Sequence, residues 1–118
     1  MKINLRPGEE IVRRGGANLQ RGLEMVGGHL YLTTERLIFE PHIINIQRKN
    51  AIVNLEDVIE VAKCWSKFLN AIPLLPNSIV VKTKDGIIYK FVCFKREEWI
   101  SAIKLAKEQS WNKTLRSE

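Results

Sequence analysis

The chain has 118 residues, 45% of them hydrophobic, and a formal net charge of +6 at pH 7. This length suits one domain, and folding at this size buries roughly two thirds of the surface of the unfolded chain. No apolar run reaches the ~18 residues of a membrane-spanning helix. The opening residues lack the long apolar core of a signal peptide, so we expect a cytoplasmic protein.

The first element is predicted to be a strand that follows a turn. Pro7-Gly8 is typical of a turn, and Ile11 and Val12 favour a strand over residues 9–14. Gly15-Gly16 predicts a bulge or a sharp bend, after which residues 17–21 continue the strand. Residues 22–26 fit either a loop or a short extension of the next strand.

A β-hairpin is predicted over residues 27–42, with Thr34-Glu35 as its loop. Gly27-Gly28 opens it, Pro41 lies near its end, and the runs between are rich in aliphatic, aromatic and Thr residues. The side chains form one apolar face and one mixed face, as a half-buried antiparallel pair requires. The predicted pairs are Leu32 with Leu37, Leu30 with Phe39, Tyr31 with Ile38, and His29 with Glu40.

Two further strands follow a connection at residues 42–50. They are predicted over residues 51–54 and 58–65, with a turn at residues 55–57. Residues 66–77 are then read as a loop, because Pro73 and Pro76 exclude a continuous helix or a central strand.

A second hairpin is predicted over residues 78–94. A three-residue loop, Lys84-Asp85-Gly86, pairs Val81 with Tyr89 and Ile79 with Phe91. That register separates an apolar face from a mixed one, and it predicts a type I turn with Gly86 in the left-handed conformation and a bulge.

Residues 95–110 are predicted to be the one helix, followed by a polar, frayed tail. Trp99, Ala102, Ile103 and Ala106 recur at helical spacing and form an apolar stripe that must be buried. Seven short strands and a terminal helix predict a mainly β barrel or sandwich whose open end the helix covers.

Several segments resemble the GRAM domain family over roughly residues 5–107. The resemblance rests on Pro7-Gly8-Glu9-Glu10, Ala17-Asn18-Leu19, Gly-Gly-His-Leu-Tyr-Leu-Thr-Thr-Glu-Arg-Leu-Ile-Phe-Glu at 27–40, Leu55-Glu56-Asp57-Val58, the run 78–86, Tyr89-Lys90-Phe91 and Trp99. It implies a pleckstrin-homology-like fold, with two near-orthogonal antiparallel sheets closed by the helix. It also implies a membrane-associating or protein-binding module, here a single domain over residues 1–111 with a tail at 112–118. The matching residues resemble core and turn positions, and no headgroup-binding motif carries over residue by residue.

No catalytic or metal-binding pattern is present, so we expect no enzyme, metal or cofactor. The two cysteines, Cys64 and Cys93, form no Cys-x-x-Cys pair and are expected to be buried free thiols, unless their strands lie side by side. His29 and His42 lack zinc-binding spacing, and His29 beside Glu40 is expected to be a solvated pair. Thr and Ser residues have no nearby base.

Basic residues form the first candidate site, since Arg and Lys supply charge-assisted donors to phosphate. We expect the first strand and the connection after the hairpin to bring them together at one end of the barrel. The candidates for binding lipid or another anion are Arg13, Arg14, Arg21, Arg48 and Lys49. The competing interpretation is a solvated, charged rim.

The loop at residues 66–77 forms the second candidate site, for a membrane or a protein partner. If exposed, its apolar residues mark an interaction surface; the alternative is a lid folded onto the barrel. The candidates are Lys67, Phe68, Leu69, Ile72, Leu74 and Leu75.

We therefore expect a non-enzymatic binding module that associates peripherally with anionic membrane or lipid headgroups. The alternative is a protein-interaction adaptor or self-associating scaffold that uses this loop or a sheet edge. Nucleic acid is not an expected partner, because no aromatic-basic stacking pattern and no recognition helix occur.

Overall fold

The computed structural model describes residues 3–21, 24–43, 49–66 and 75–116, with the backbone alone at 65, 66, 75–77, 114 and 116. These ranges contain seven strands, one short 3-10 turn and one helix. The strands are β1 Ile11–Arg21, β2 Glu24–Thr33, β3 Arg36–Pro41, β4 Ala51–Asn54, β5 Val58–Ser66, β6 Leu75–Thr83 and β7 Ile88–Cys93. The turn is Leu55–Asp57 and the helix α1 is Arg96–Arg116.

The strands form one antiparallel sheet in the order β4-β3-β2-β1-β7-β6-β5. β1 pairs with β2 along almost its whole length but with β7 only at Ala17–Leu19. This short contact joins the two halves of the sheet. One half contains strands β1–β4, and the other contains strands β5–β7. The predicted fold class is confirmed, and in the described residues the sheet stays open because β4 and β5 are not paired with each other.

The β2–β3 hairpin has the predicted register. Leu32 pairs with Leu37, Leu30 with Phe39, Tyr31 with Ile38, and His29 with Glu40. β2 begins at Glu24, so the ambiguous residues before Gly27 extend the strand where the structure describes them. All six residues of β3 are buried, including the outward-facing Ile38, so β3 is a strand buried on both faces.

The β6–β7 hairpin also has the predicted register, with Val81 opposite Tyr89 and Ile79 opposite Phe91. Gly86 has a φ of 86°, the left-handed conformation that glycine adopts without steric cost. The Gly86 amide donates to the Thr83 carbonyl, and the Thr83 amide donates to the Ile87 carbonyl, both at 3.0 Å. These two bonds close the predicted three-residue loop.

Two strand predictions were wrong. Gly15-Gly16 does not bend β1, which is continuous, and the register shift lies earlier, between Ile11 and Arg13. Gly15 faces the helix instead, where an added Cβ would lie 3.5 Å from the Trp99 indole. β6 begins at Leu75, so it includes Pro76. This proline lies before the part of β6 that pairs with β7, and so its missing N–H interrupts no doubly paired strand.

The helix buries its predicted stripe but is longer than predicted. Trp99, Ile103 and Ala106 are buried in the core, and Ala102 packs against it. The helix continues past Ser110 to Arg116, because residues 111–116 contain no Pro or Gly to stop it. It lies against β5, β6 and the Leu55–Asp57 turn, and it covers one end of the sheet.

Candidate functional site

The two adjacent arginines of β1 have different surroundings. Arg13 points inward: its guanidinium carbon lies 5.0 Å from the Trp99 ring centroid, and Nη1 lies 3.7 Å from Glu98 Oε1. Arg14 is exposed on the opposite face, level with Tyr31 of β2. The charge of Arg13 is thus engaged with the helix, whereas the charge of Arg14 is presented to solvent.

The remaining basic candidates lie at the other end of β1. Arg21 donates from Nη2 to the Lys49 carbonyl at 3.2 Å, and the Lys49 side chain is exposed. Arg48 lies outside the described residues. Arg21 lies seven positions after Arg14, about 23 Å along an extended strand. The expectation of one basic cluster is therefore corrected: the described candidates form two groups, too far apart to hold one phosphate.

An exposed aromatic residue lies near Arg14, and the sequence reasoning missed it. Phe94 follows β7 directly and is 88% exposed. Because Ala17 pairs with Cys93, Phe94 lies level with Gly16, two residues from Arg14 on the outer face of β1. Lys95 is exposed beside Phe94, whereas Lys90, on the same outer face of β7, lies four residues or about 13 Å before it. We call Arg14, Phe94 and Lys95 the Phe94 surface.

A strained residue fixes the position of Phe94. Lys95 has a φ of 56°, a left-handed conformation that costs a non-glycine residue about 1 kcal/mol or more. Its carbonyl accepts hydrogen bonds from the amides of Glu98 and Trp99, at 3.0 and 3.1 Å, and so begins α1. The turn therefore reverses the chain while Phe94 points away from the core. Two signals were available: the run Phe94-Lys95-Arg96, and the alternation along β7, which places Phe94 on the outer face.

The acidic residues near this surface are already paired. Glu98 interacts with Arg13, and Glu97 forms an ion pair with Lys63, which lowers the pKa of the Glu97 carboxyl. Arg96 donates to the Cys64 carbonyl at 3.0 Å and ties the start of the helix to β5. The exposed charges of the Phe94 surface are thus all positive.

A second charged cluster, also missed, lies buried under the β2–β3 turn. Arg36 donates from Nε to Glu9 Oε2 at 2.8 Å and from Nη2 to Glu9 Oε1 at 2.6 Å. Thr33 donates to Glu9 Oε2 at 2.6 Å, and the Arg6 amide donates to Glu9 Oε1 at 2.8 Å. We call Glu9, Thr33 and Arg36 the Glu9 clasp.

The clasp is a structural feature. The Arg36 hydrogen bonds outweigh burial and lower the pKa of Glu9 to about 2, while the same contact raises the pKa of Arg36. Arg36 also donates to the Asn4 carbonyl at 3.0 Å. The clasp therefore fixes the segment before β1 against the hairpin, and its charges satisfy one another.

An apolar groove runs between β5 and α1. It has a volume of about 680 Å³, and its walls include Ile59 and Ala62 on the strand and Lys104, Lys107 and Trp111 on the helix. A smaller cavity of about 400 Å³ shares Ile59, Lys107 and Trp111 with the groove, so the two are adjacent. Ile59 and Trp111 are 63% and 62% exposed.

The described residues include no arrangement of side chains that would support catalysis. Cys64 and Cys93 are free thiols, as predicted, although Cys64 is only half-buried. Burial raises the pKa of Cys64, and it raises that of Cys93 to about 11, so both are poor nucleophiles at neutral pH. The rings of His29 and His42 lie 5.0 Å apart, but no cluster of three metal-ligating side chains occurs in the described part of the chain.

The second candidate site, the apolar loop, lies mostly outside the described residues. This applies to the candidates Lys67, Phe68, Leu69, Ile72 and Leu74. For Leu75 only the backbone is described, and it pairs with Ser66 at the start of β6.

In the described residues, an open seven-stranded antiparallel sheet with a helix across one end defines a pleckstrin-homology-like fold. The GRAM domain family model matches residues 1–115, so the chain belongs to the GRAM domain family. This membership fits a non-enzymatic binding role. Within the described residues, no helix is both long and apolar enough to cross a bilayer.

Solved structures agree on the fold. The chain resembles the C-terminal domain of an unknown protein from Leishmania infantum, with a TM-score of 0.69, 19% identity and 86% coverage of each chain. It resembles the Vps36 N-terminal PH domain, with a TM-score of 0.60 and 19% identity over 98% of this chain and 87% of that one.

The linker-DH/PH fragment of p115-RhoGEF gives a TM-score of 0.66 at 13% identity, over 87% of this chain and 30% of that one. No curated protein matches the sequence.

Proposed function

We propose that this GRAM domain associates peripherally with anionic membrane surfaces through the Phe94 surface. The observation that carries the proposal is a large aromatic side chain, 88% exposed, among exposed cations. An aromatic ring that enters the interface, surrounded by Lys and Arg that face anionic headgroups, is the usual arrangement of peripheral anchors.

The magnitudes describe a weak, reversible contact. Burying a Phe side chain contributes about 1.5–3 kcal/mol, and each Lys or Arg near an anionic leaflet contributes about 1 kcal/mol. Phe94 with Arg14 and Lys95 therefore supplies roughly 3.5–5 kcal/mol, a dissociation constant of about 3 mM to 0.2 mM. Such a domain binds a membrane efficiently only where anionic lipid is abundant or where several copies bind together.

The second basic group has a smaller role in this proposal. Arg21 and Lys49 lie about 23 Å from Arg14 along β1, beyond the Debye length of about 8 Å at physiological ionic strength. They add to the positive field that attracts the domain, together with Arg48, but do not share a headgroup with the Phe94 surface. Arg13 supports the surface indirectly by fixing β1 to the helix.

The test is vesicle flotation with phosphatidylcholine alone and with added phosphatidylserine, at low and physiological salt. We expect binding only to the anionic vesicles, and weaker binding at higher salt. Phe94→Ala is expected to weaken binding by about tenfold or more. Equal binding to both kinds of vesicle, or binding that salt leaves unchanged, would contradict the proposal.

Ile52→Ala is the matched control. Ile52 is 49% exposed on β4, which lies three strands from β1 and four strands from β7 in the sheet order. It removes a comparable apolar side chain away from the Phe94 surface, so its vesicle binding should equal that of the wild type. An equal loss in both variants would show that general surface hydrophobicity drives binding.

A further inference from the structure

A second binding surface lies on the other half of the molecule, along β5. Within the described ranges β5 pairs only with β6, so it is the last strand of the sheet. Its outer edge therefore presents backbone N–H and C=O groups that no neighbouring strand satisfies, and such an edge is a template for another extended chain.

The groove beside this edge is shaped by a β-bulge. The β5–β6 register shifts between Val58 and Glu60, so Ile59 is an extra residue without a partner on β6. A bulge redirects side chains, and Ile59 lies 63% exposed in the groove wall. Trp111 stands on the helical wall with similar exposure, and the groove of about 680 Å³ lies within the usual range of ligand sites.

The charges around the groove favour an acidic occupant. Lys84, Lys104 and Lys107 line the groove or the cavity adjacent to it, and none of them forms an ion pair in the described part of the chain. Among the lining acids, Glu60 is neutralised by Lys82 at 3.1 Å, which leaves Glu56 and Glu108. The groove therefore carries a surplus of positive charge.

We infer that this groove binds an extended segment of a protein partner that alternates apolar and acidic residues. The segment adds to β5 as an eighth strand, places an apolar side chain between Ile59 and Trp111, and directs carboxylates toward the lysines. A helix or a lipid chain has no free backbone groups for the strand edge. A second copy of this domain would set the same lysines against each other, and like charges across an interface are unfavourable.

The experiment selects peptides from a random-peptide display library on the folded protein and measures the best synthetic peptide by fluorescence anisotropy. We expect selected sequences that alternate apolar residues with Asp or Glu. Trp111→Ala is expected to weaken binding by about 30-fold, as for an aromatic residue at the centre of an interface. Phe94→Ala should leave peptide binding unchanged, which separates this surface from the membrane-binding one.

The backbone contact has its own test. Methylating alternate peptide nitrogens of the selected peptide should abolish binding for one of the two alternating sets and spare it for the other, because a strand edge pairs with every second residue. Failure to select any peptide, selected peptides that Trp111→Ala leaves unaffected, or equal tolerance of both methylated sets would overturn the inference. So would a concentration-dependent dimer that Ile59→Asp abolishes, since that result assigns the edge to a second copy.

Discussion

The Glu9 clasp and the Phe94 surface each contain an arginine, yet the charges of the two arginines have opposite surroundings. In the clasp, Arg36 is buried and both Glu9 oxygens accept its hydrogen bonds. In the Phe94 surface, Arg14 is exposed and the nearby carboxylates are bound to other cations. The difference shows that the net charge of +6 does not locate a ligand site. What locates it is which cations the fold leaves unsatisfied.

Breaking the clasp should have the largest effect on stability. Glu9→Gln leaves the buried Arg36 guanidinium without an anion, and removing one partner of a buried pair costs about 3–5 kcal/mol. Urea unfolding measures the loss. Glu35→Gln is the control: Glu35 meets Arg6 at 3.2 Å, both side chains are about a third exposed or more, and such pairs contribute about 1 kcal/mol or less. Equal losses in the two variants would contradict the buried role of Glu9.

The clasp should also make stability depend on acid. The pKa of Glu9 is about 2 in the folded chain against an ordinary value of 4.5, so the folded state favours the ionised carboxylate. The resulting stabilisation, roughly 3 kcal/mol, is complete above pH 4.5 and declines as the pH falls toward 2. Unfolding measured across this range should show that decline in the wild type and not in Glu9→Gln. The same decline in the variant would assign it to other groups.

Substitution of Gly28 tests how closely the β2–β3 hairpin, which the Glu9 clasp contacts, is packed. An added Cβ would lie 2.2 Å from the Glu40 carbonyl oxygen and 2.8 Å from Phe39 Cζ. Gly28→Ala should therefore destabilise the fold by about 1–3 kcal/mol. Gly16→Ala is the control beside the Phe94 surface, because nothing lies within 4 Å of its added Cβ. Its unfolding midpoint in urea should stay close to that of the wild type.

The smallest expected stability effect separates the two neighbouring arginines. Arg13→Met removes the cation above Trp99, a contact that contributes about 0.5–1 kcal/mol. Arg14→Met should change stability by less than about 0.5 kcal/mol, as expected for an exposed surface residue. Thermal unfolding of both variants checks the order. A larger loss of stability for Arg14→Met than for Arg13→Met would contradict the assignment of Arg13 as the inward residue and Arg14 as the outward one.

The sequence correctly predicted the features that depend on the alternation of apolar and polar residues along the strands. The registers of both hairpins are correct because a slip by one residue would move apolar side chains such as Leu30 and Phe91 out of the core. Gly86 was correct because a three-residue hairpin loop needs a left-handed residue at that place.

What the sequence did not predict depends on contacts between distant residues. Glu9 and Arg36 are 27 residues apart, and each looks like an ordinary surface charge when read locally. Gly15 was interpreted as a bend because its actual neighbour, Trp99, lies on the C-terminal helix. Alternation along β7 places Phe94 on the outer face, but the local sequence does not show whether another segment covers that face.

The most direct test of the central claim is flotation of Arg14→Glu and Lys84→Glu on phosphatidylserine-containing vesicles at physiological salt. Both variants change the net charge equally, but Lys84 lies in the β6–β7 loop, separated from Phe94 by the six residues of β7, about 20 Å of strand. We predict that Arg14→Glu weakens binding by about tenfold or more, since it reverses a charge at the contact, and that Lys84→Glu changes it by less than about twofold because of screening. Equal losses in the two variants would contradict a localised Phe94 surface and would attribute binding to net charge alone.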